Sequence, residues 1–408
     1  MLLLHLKSYS ITKRQGAKVR NRIKVRPVTK DSRILFVGML DSPHFQKWFK
    51  TVQQEFPARG LLIFPSDRPR LFTSNLRDNK DNLFTNTKVF RLFPNVKLNF
   101  TFYYLLDLVF GTKWRSYFLA RFIIKHDPDI LHFHEMQHGA YLYNPIANYR
   151  KIPQDSRKII STWGSDLTLY SWVDEHMIQI SACFNWVDIL TTEKKNELQD
   201  AKRLGFKSKF ISPVYISLGQ SQLNDAKIIE PSNRRLILIK GHQSDTGRAL
   251  NVLHVISSLG SQLKNFEIIV YSASISTQIQ VDLLRNKQKI NIKVLSKVTN
   301  DQMRKIFEQA RISISLAVSD GLPGVLVEAM TAGAFPIQSR NSAGSEFLIS
   351  GKSGFLVDPW DLNGIKKAII MGLKSDELVN SASVVNRRVL RKKYMSNQKK
   401  HRLKQLYL

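Results

Sequence analysis

Short, unbroken apolar runs that close on a glycine or a polar turn, each followed by a stretch of helical spacing, constrain this chain more than any other feature. "RILFVGML" (33–40) is such a run, and "FQKWFKTVQQEF" (45–56) follows it with apolar residues at helical intervals. A strand buried on both faces reads as continuous apolar sequence, and a parallel sheet covered by helices provides that burial. The pattern repeats at "GLLIFP" (60–65), "DPDILHFH" (127–134), "SRKIISTWGSD" (156–166) and "VDILTT" (187–192). "EKKNELQDAKRLGF" then reads as a helix stopped at Gly205. The alternation lapses over the polar, turn-rich 216–234. It resumes at "RLILIKG" (235–241), "FEIIVYSAS" (266–274), "NIKVLSKV" (291–298), "ARISISLAVSDG" (310–321), "GAFPIQS" (333–339) and "SGFLVDP" (353–359). The expectation is an α/β chain of two doubly wound, parallel-sheet halves in tandem, at 31–215 and 235–380, joined by a linker at 216–234.

A length of 408 residues with 43% hydrophobic and 10% aromatic residues suits two or three buried cores. The single cysteine, Cys183, rules out a disulfide within the chain and a cysteine zinc site, and fits a reducing compartment. The net charge of +30 is uneven: residues 1–30 and 387–408 each carry nine Lys/Arg and no acid. A basic arm at 1–30 and a basic helix at 381–408 are therefore either solvated or drawn to anions, acidic lipid among them. "MLLLHL" is too short for a secretory signal, and "FTFYYLLDLVF" (100–110) is about half the ~20 residues of a spanning helix. A cytoplasmic protein is expected. "KWRSYFLARFIIKH" (113–126) spaces Trp114, Tyr117, Phe118 and Phe122 as a helix face with bases between them. It reads as a core helix or as one that docks on acidic lipid.

"SDGLPGVLVEAM" (319–330) places Asp320 and Glu328 on either side of a glycine–proline turn. The turn follows the strand "ISISLAV", and ligands of open α/β sheets bind beyond the carboxyl ends of strands. Gly321, Leu322, Pro323 and Gly324 would let backbone approach a ligand, and a helix starting near Val325 would aim bare N–H groups at a phosphate. An anion such as Glu328 then suits hydroxyls of a ribose, and Asp320 those of a second hydroxylated group. Sugar, diphosphate and ribose together make a nucleotide sugar. The pair alone also fits a plain helix cap and a solvent-facing acid.

The surrounding forty residues, "SDGLPGVLVEAMTAGAFPIQSRNSAGSEFLISGKSGFLVDPWD", resemble the signature region of glycosyltransferase family 4, the group 1 glycosyltransferases. Asp320 stands where that family has the first Glu of E-x7-E; Glu328 matches the second, and Glu346 and Gly354 match a later acid and glycine. The resemblance implies a GT-B fold, two Rossmann-like domains facing across a cleft, with acceptor bound by the first and nucleotide sugar by the second. The basic last segment would cross back to the first domain. In "IKGHQSDTGRAL" (239–250), Gly241 matches the family's glycine, while His242 takes an arginine slot and Arg248 falls near a lysine slot. Arg248 is thus the expected diphosphate cation, with Lys240 or His242 as a second contact. Gly38, in "GMLDSPHF", resembles the family's first glycine loop and would let the donor approach. His44 lies in the same stretch.

"LHFHEMQHGAYL" (131–142) holds His132 and His134 on one strand face, opposite Glu135, which leaves a zinc site without a third ligand. The resemblance implies His134 as the residue touching sugar or acceptor, and His132 as a second acceptor contact or a hydrogen-bonded core histidine. "TWGSD" (162–166) is similar to the family's H-G-S-D loop, with Trp163 in place of the histidine. Gly164 and Asp166 would line the acceptor site or form a simple capped turn.

The whole then reads as a retaining, metal-independent glycosyltransferase with no cofactor beyond its nucleotide-sugar co-substrate. Its acceptor would be a glycan or lipid-linked sugar of surface polysaccharide assembly. Peripheral contact with an anionic membrane is an expected partner interaction; specific nucleic-acid binding is not, since the charge gathers at the ends and no zinc-finger, RRM or KH signature is present. An epimerase or phosphorylase of the same fold is the alternative enzyme.

Overall fold

The structure, a computed structural model, describes residues 25–29, 31–57, 59–67, 84, 87–92, 96–215, 229–395 and 398–408. Most of the basic arm expected at 1–30, and 216–228 of the expected linker, lie outside the described residues. The chain divides into two compact units, Met1–Ile216 with Gln398–Leu408, and Ser217–Asn397.

In the first unit the apolar runs form seven parallel strands: β1 (Ile34–Gly38), β2 (Leu61–Pro65), β3 (Lys88–Val89), β4 (Ile130–His134), β5 (Arg157–Ser161), β6 (Ile189–Thr191) and β7 (Lys209–Ile211). Their order is β3-β2-β1-β4-β5-β6-β7. Alternate residues feed two cores. Leu35, Val37, Leu131 and Phe133 pack on one face with the Lys113–His126 helix. Ile34, Phe36, Ile130 and Ile159 pack on the other with Trp48 and Phe49 of the Pro43–Glu55 helix and with Leu403, Leu406 and Tyr407 of the Gln398–Tyr407 helix. Burial on both faces is why these runs show no polar alternation.

The second unit repeats the plan with six parallel strands: β8 (Leu236–Lys240), β9 (Glu267–Tyr271), β10 (Ile292–Val294), β11 (Ala310–Ser315), β12 (Phe335–Ser339) and β13 (Phe355–Val357). The order is β10-β9-β8-β11-β12-β13. Sequence chemistry fixes the helix starts. Thr299 and Gln302 form a reciprocal capping box at the Asn300–Gln309 helix, and Asp361 accepts from the Gly364 N–H at 2.9 Å before the Leu362–Lys374 helix. In both sheets the strand order reverses beside the first strand, between β1 and β4 and between β8 and β11. Such a reversal opens a crevice at the carboxyl ends.

The expected double α/β architecture is borne out. Of the two readings of the Lys113–His126 helix, the core helix holds: Trp114 and Phe122 turn inward, at 3% and 7% exposure.

Candidate functional site

The loops after β8 and β11 flank the crevice of the second unit, and the backbone ties them together. The Arg248 N–H donates to Leu316 O at 3.0 Å, the Val318 N–H donates to Thr246 O at 2.9 Å, and Gly247 bridges Ala317. The Ala317 N–H reaches Ser339 Oγ at 2.6 Å, which adds the end of β12. The Ala343 N–H donates to Gly321 O at 2.9 Å and holds the glycine–proline turn from the far side. Gly241 sits where β8 meets its loop: a Cβ there would lie 2.6 Å from Val270 Cγ1 and 2.8 Å from Ala273 Cα. Only glycine lets the β8 and β9 ends lie this close.

The Gly324–Ala332 helix starts at the mouth of this crevice. Its N-cap is Pro323, and among the described residues no side chain hydrogen-bonds to its first amides. A Cβ on Gly324 would meet nothing within 4 Å, so the space over the helix start is open. Open space, uncapped N–H groups and the positive end of the helix dipole together attract an anion, worth about 0.3–1 kcal/mol at the surface and up to ~2 when partly buried. Gly321, Leu322 and Pro323 are buried and form the floor of the turn, while Gly324 and Val325 are half-buried.

Asp320, half-buried, stands just before the helix, and its charge acts on His242. Burial and then Lys240 hold the His242 imidazolium down, against the opposing pull of Asp320. His242 is therefore a neutral ring at ordinary pH, its Nε2 2.9 Å from Ser244 Oγ. Glu328 is exposed on the first turns of the helix, and its charge, after burial, raises the Tyr271 hydroxyl well above its usual range. The structure thus brings Lys240, His242, Asp320 and Glu328 to the carboxyl end of one sheet.

Arg248 is placed differently from expectation. Its guanidinium donates to the carbonyls of Ser244 at 2.8 Å, Gly247 at 2.7 Å and Asp245 at 3.1 Å, and lies 4.4 Å from the Trp360 ring centre. It closes its own loop, with both Nη groups turned to that loop's carbonyls. Trp360 and Tyr271 are the residues that sequence reasoning missed. A tyrosine at the end of "EIIVY" and a tryptophan in "DPWD" were the available signals.

The first-unit candidates lie deeper than expected. His134 has no exposed surface; its ring packs against Phe36, Phe45 and Trp48 at 5.8, 5.1 and 5.2 Å between centres. Burial holds it neutral, pushed down to about 3, and among the described residues neither ring nitrogen has a hydrogen-bond partner. The expected contact of His134 with sugar or acceptor is corrected to an aromatic core position. His132 is likewise fully buried, between Tyr407 Oη at 2.5 Å and Ser161 Oγ at 2.7 Å, and is the hydrogen-bonded core histidine of the two readings. Asp166, at 3% exposure, accepts from the Trp163 N–H at 2.8 Å and the Met136 N–H at 3.2 Å. Burial and then Glu135 raise it well above the carboxylate range. It caps a turn rather than lining a surface. The Gly164 carbonyl accepts from the buried Lys194 ammonium at 2.8 Å. Trp163 is half-buried, its ring 5.6 Å from His44. Gly38 is demanded by packing, since a Cβ there would lie 2.6 Å from Phe45 Cδ2 and 3.1 Å from His134 Cβ. Gly354 is a packing glycine too, its Cβ position 2.6 Å from Pro336 O.

Comparison with known proteins shows what the second unit is similar to. Residues 221–388 match the family model described as "Glycosyl transferases group 1". That match spans most of the second unit, which is similar to a group 1 glycosyl transferase domain. Solved structures extend the likeness over both units of the chain. TarM of S. aureus is 10% identical with a TM-score of 0.68, covering 92% of this chain and 98% of that one. Sucrose-phosphate synthase of Thermosynechococcus elongatus is 12% identical with a TM-score of 0.67, covering 92% and 98%. HepE of Anabaena, solved with UDP-glucose, is 11% identical with a TM-score of 0.63, covering 92% and 99%. These likenesses show a GT-B fold of two Rossmann-like units. No curated protein sequence matches the chain. The family-matched segment contains the Gly324–Ala332 helix start, Asp320 and Glu328.

Proposed function

We propose that the chain is a retaining glycosyltransferase of the family 4 kind. It moves a sugar from a nucleotide-diphosphate sugar to a glycan or lipid-linked acceptor, in surface polysaccharide assembly. One observation carries the reading: the uncapped, open start of the Gly324–Ala332 helix at the crevice of the second sheet, with Asp320 before it and Glu328 after it.

On this reading the helix amides receive the pyrophosphate, and Glu328 accepts hydrogen bonds from the ribose hydroxyls. Asp320 and neutral His242 address hydroxyls of the transferred sugar. As the bond from the anomeric carbon to the diphosphate lengthens, negative charge grows on the leaving oxygen, and the helix end and the Lys240 ammonium stabilise it. The acceptor hydroxyl enters on the face from which the diphosphate departs, and its proton passes to the leaving oxygen, so the anomeric configuration is kept. The reading asks for no metal and no resident cofactor. The first unit takes the acceptor, in the cytoplasm and within reach of lipid-linked sugars. HepE was solved with UDP-glucose and a TarM variant with UDP, which makes uridine diphosphate the first nucleotide to try.

The test is a thermal-shift panel of nucleoside diphosphates and their sugars on the full chain. At least one diphosphate raises the unfolding temperature, and Glu328→Ala lessens that rise. A flat panel on folded protein would overturn the reading.

A further inference from the structure

The Val96–Phe110 helix carries its polarity inside out. Its inward side holds Tyr103, at 1% exposure, edge-on to Trp114 at 4.7 Å. It also holds Asp107, whose carboxylate accepts from Arg115 at 2.5 and 3.2 Å and from the Trp114 indole at 2.9 Å. This ion pair is buried, with side chains 8% and 6% exposed. The outward side instead presents Leu105, Leu108 and Val109 at 46%, 71% and 67% exposure, one stripe at helical spacing, with Phe110 beyond at 47%. A helix meant to face water does the reverse, and contiguous apolar surface of this kind marks an interaction site.

Charge selects the partner. Between residues 82 and 126 the chain has seven Lys/Arg and a single acid, Asp107, already paired inside. The next helix, Lys113–His126, leaves Lys113, Arg121 and Lys125 exposed beside Ile124, with the Arg121 guanidinium 5.8 Å from the Tyr117 ring centre. A second copy of the chain would press two basic surfaces together with no acid to relieve them. An anionic bilayer supplies both a hydrocarbon boundary for the stripe and charge for the bases. Among the described residues no helix is long and apolar enough to cross a membrane, so the helix would lie in the interface.

We propose that the Val96–Phe110 helix docks the protein on anionic membranes, its Leu105–Leu108–Val109 stripe sinking below the headgroups. The inference goes beyond glycosyl transfer and does not depend on it.

The experiment is flotation of the full chain with vesicles of phosphatidylcholine alone or mixed with phosphatidylglycerol. Binding is expected to the mixed vesicles, and Leu105→Gln/Leu108→Gln/Val109→Gln weakens it about tenfold or more. The thermal unfolding midpoint of that variant stays close to that of the wild type, because Leu108 and Val109 are mostly exposed and Leu105 about half so. Cys183, the chain's single cysteine, is buried, so an environment-sensitive dye can be attached selectively at Val109→Cys. Its emission shifts to the blue on mixed vesicles, whereas a dye at Val384→Cys, exposed in the second unit, does not shift. Three results would each overturn the proposal. One is undiminished binding by the triple variant, which would assign the affinity to the basic ends. Another is no vesicle binding at all. The last is a concentration-dependent dimer in light scattering that the triple variant abolishes, which would make a second copy the occupant.

Discussion

The hydroxyl of Tyr407 lies 2.5 Å from Nδ1 of His132, a residue 275 positions earlier, and 2.8 Å from the indole nitrogen of Trp48. Tryptophan can only donate, so the hydroxyl accepts from Trp48 and gives its own proton to Nδ1. His132 then carries its hydrogen on Nε2 and donates it to Ser161 Oγ at 2.7 Å. Burial, followed by His134, keeps His132 well below the usual histidine range, so this is a chain of neutral groups. Tyr407→Phe removes its middle link and strands two buried polar atoms. A loss of roughly 2–4 kcal/mol in urea unfolding is expected, with nucleotide-induced stabilisation of the second unit retained.

His134 makes the opposite prediction. Its ring is fully buried with neither nitrogen bonded, so His134→Leu removes an unsatisfied group from an aromatic core. A gain of about 1–3 kcal/mol is expected at neutral pH. In the unfolded chain the imidazole takes a proton near 6.5, while in the folded chain burial holds it off to about 3. The unfolded state therefore binds the extra proton between those two values. The wild type loses stability as pH falls through that window, by up to ~1.4 kcal/mol per unit. Leucine has no such proton to bind. The advantage of the variant should be constant above 6.5 and grow below it, as urea midpoints across that window would read.

Glu328 and Asp320 should separate by readout. Glu328 is exposed, so Glu328→Ala leaves folding intact and weakens nucleoside diphosphate binding about tenfold or more, by calorimetry. Asp320→Ala should bind the bare diphosphate nearly normally, yet lose about a hundredfold in transfer from the nucleotide sugar. Equal losses in both assays would break the assignment of ribose to one acid and sugar to the other.

Gly241→Ala tests the close approach of two strand ends. The added methyl meets Val270 Cγ1 and the Ala273 backbone, which cannot swing aside as a flexible side chain would. A cost of about 1–3 kcal/mol is expected in unfolding of the second unit. Nucleotide affinity should fall as well, since the β8 loop is displaced.

The frame was legible because both sheets are buried on both faces. Runs such as 235–241 and 333–339 contain β8 (Leu236–Lys240) and β12 (Phe335–Ser339) within two residues at each end. The strands missed were β3 (Lys88–Val89) and β7 (Lys209–Ile211), edge strands too short to build an apolar run. In the site, the turn at Gly321–Gly324 was legible because glycine and proline act through the backbone. The roles of Arg248 and His134 were not, because a residue's type does not say whether its side chain turns outward. Arg248 spends its fork on the carbonyls of its own loop, and His134 is sealed by Phe45 and Trp48, neither of which its local sequence reveals. The apolar face of the Val96–Phe110 helix escaped for the same reason, since "FTFYYLLDLVF" does not say which side meets the unit.

The Gln398–Tyr407 helix belongs to the first unit although the second lies between them in the chain. Translation therefore delivers the whole of 217–397 before Leu403, Leu406 and Tyr407 leave the ribosome to seal the layer under β1 and β4. The unit begun first is completed last. A nascent chain that has released residues 217–397 but still holds 398–408 in the ribosome should carry a folded second unit attached to an N-terminal half whose core is still exposed to chaperones.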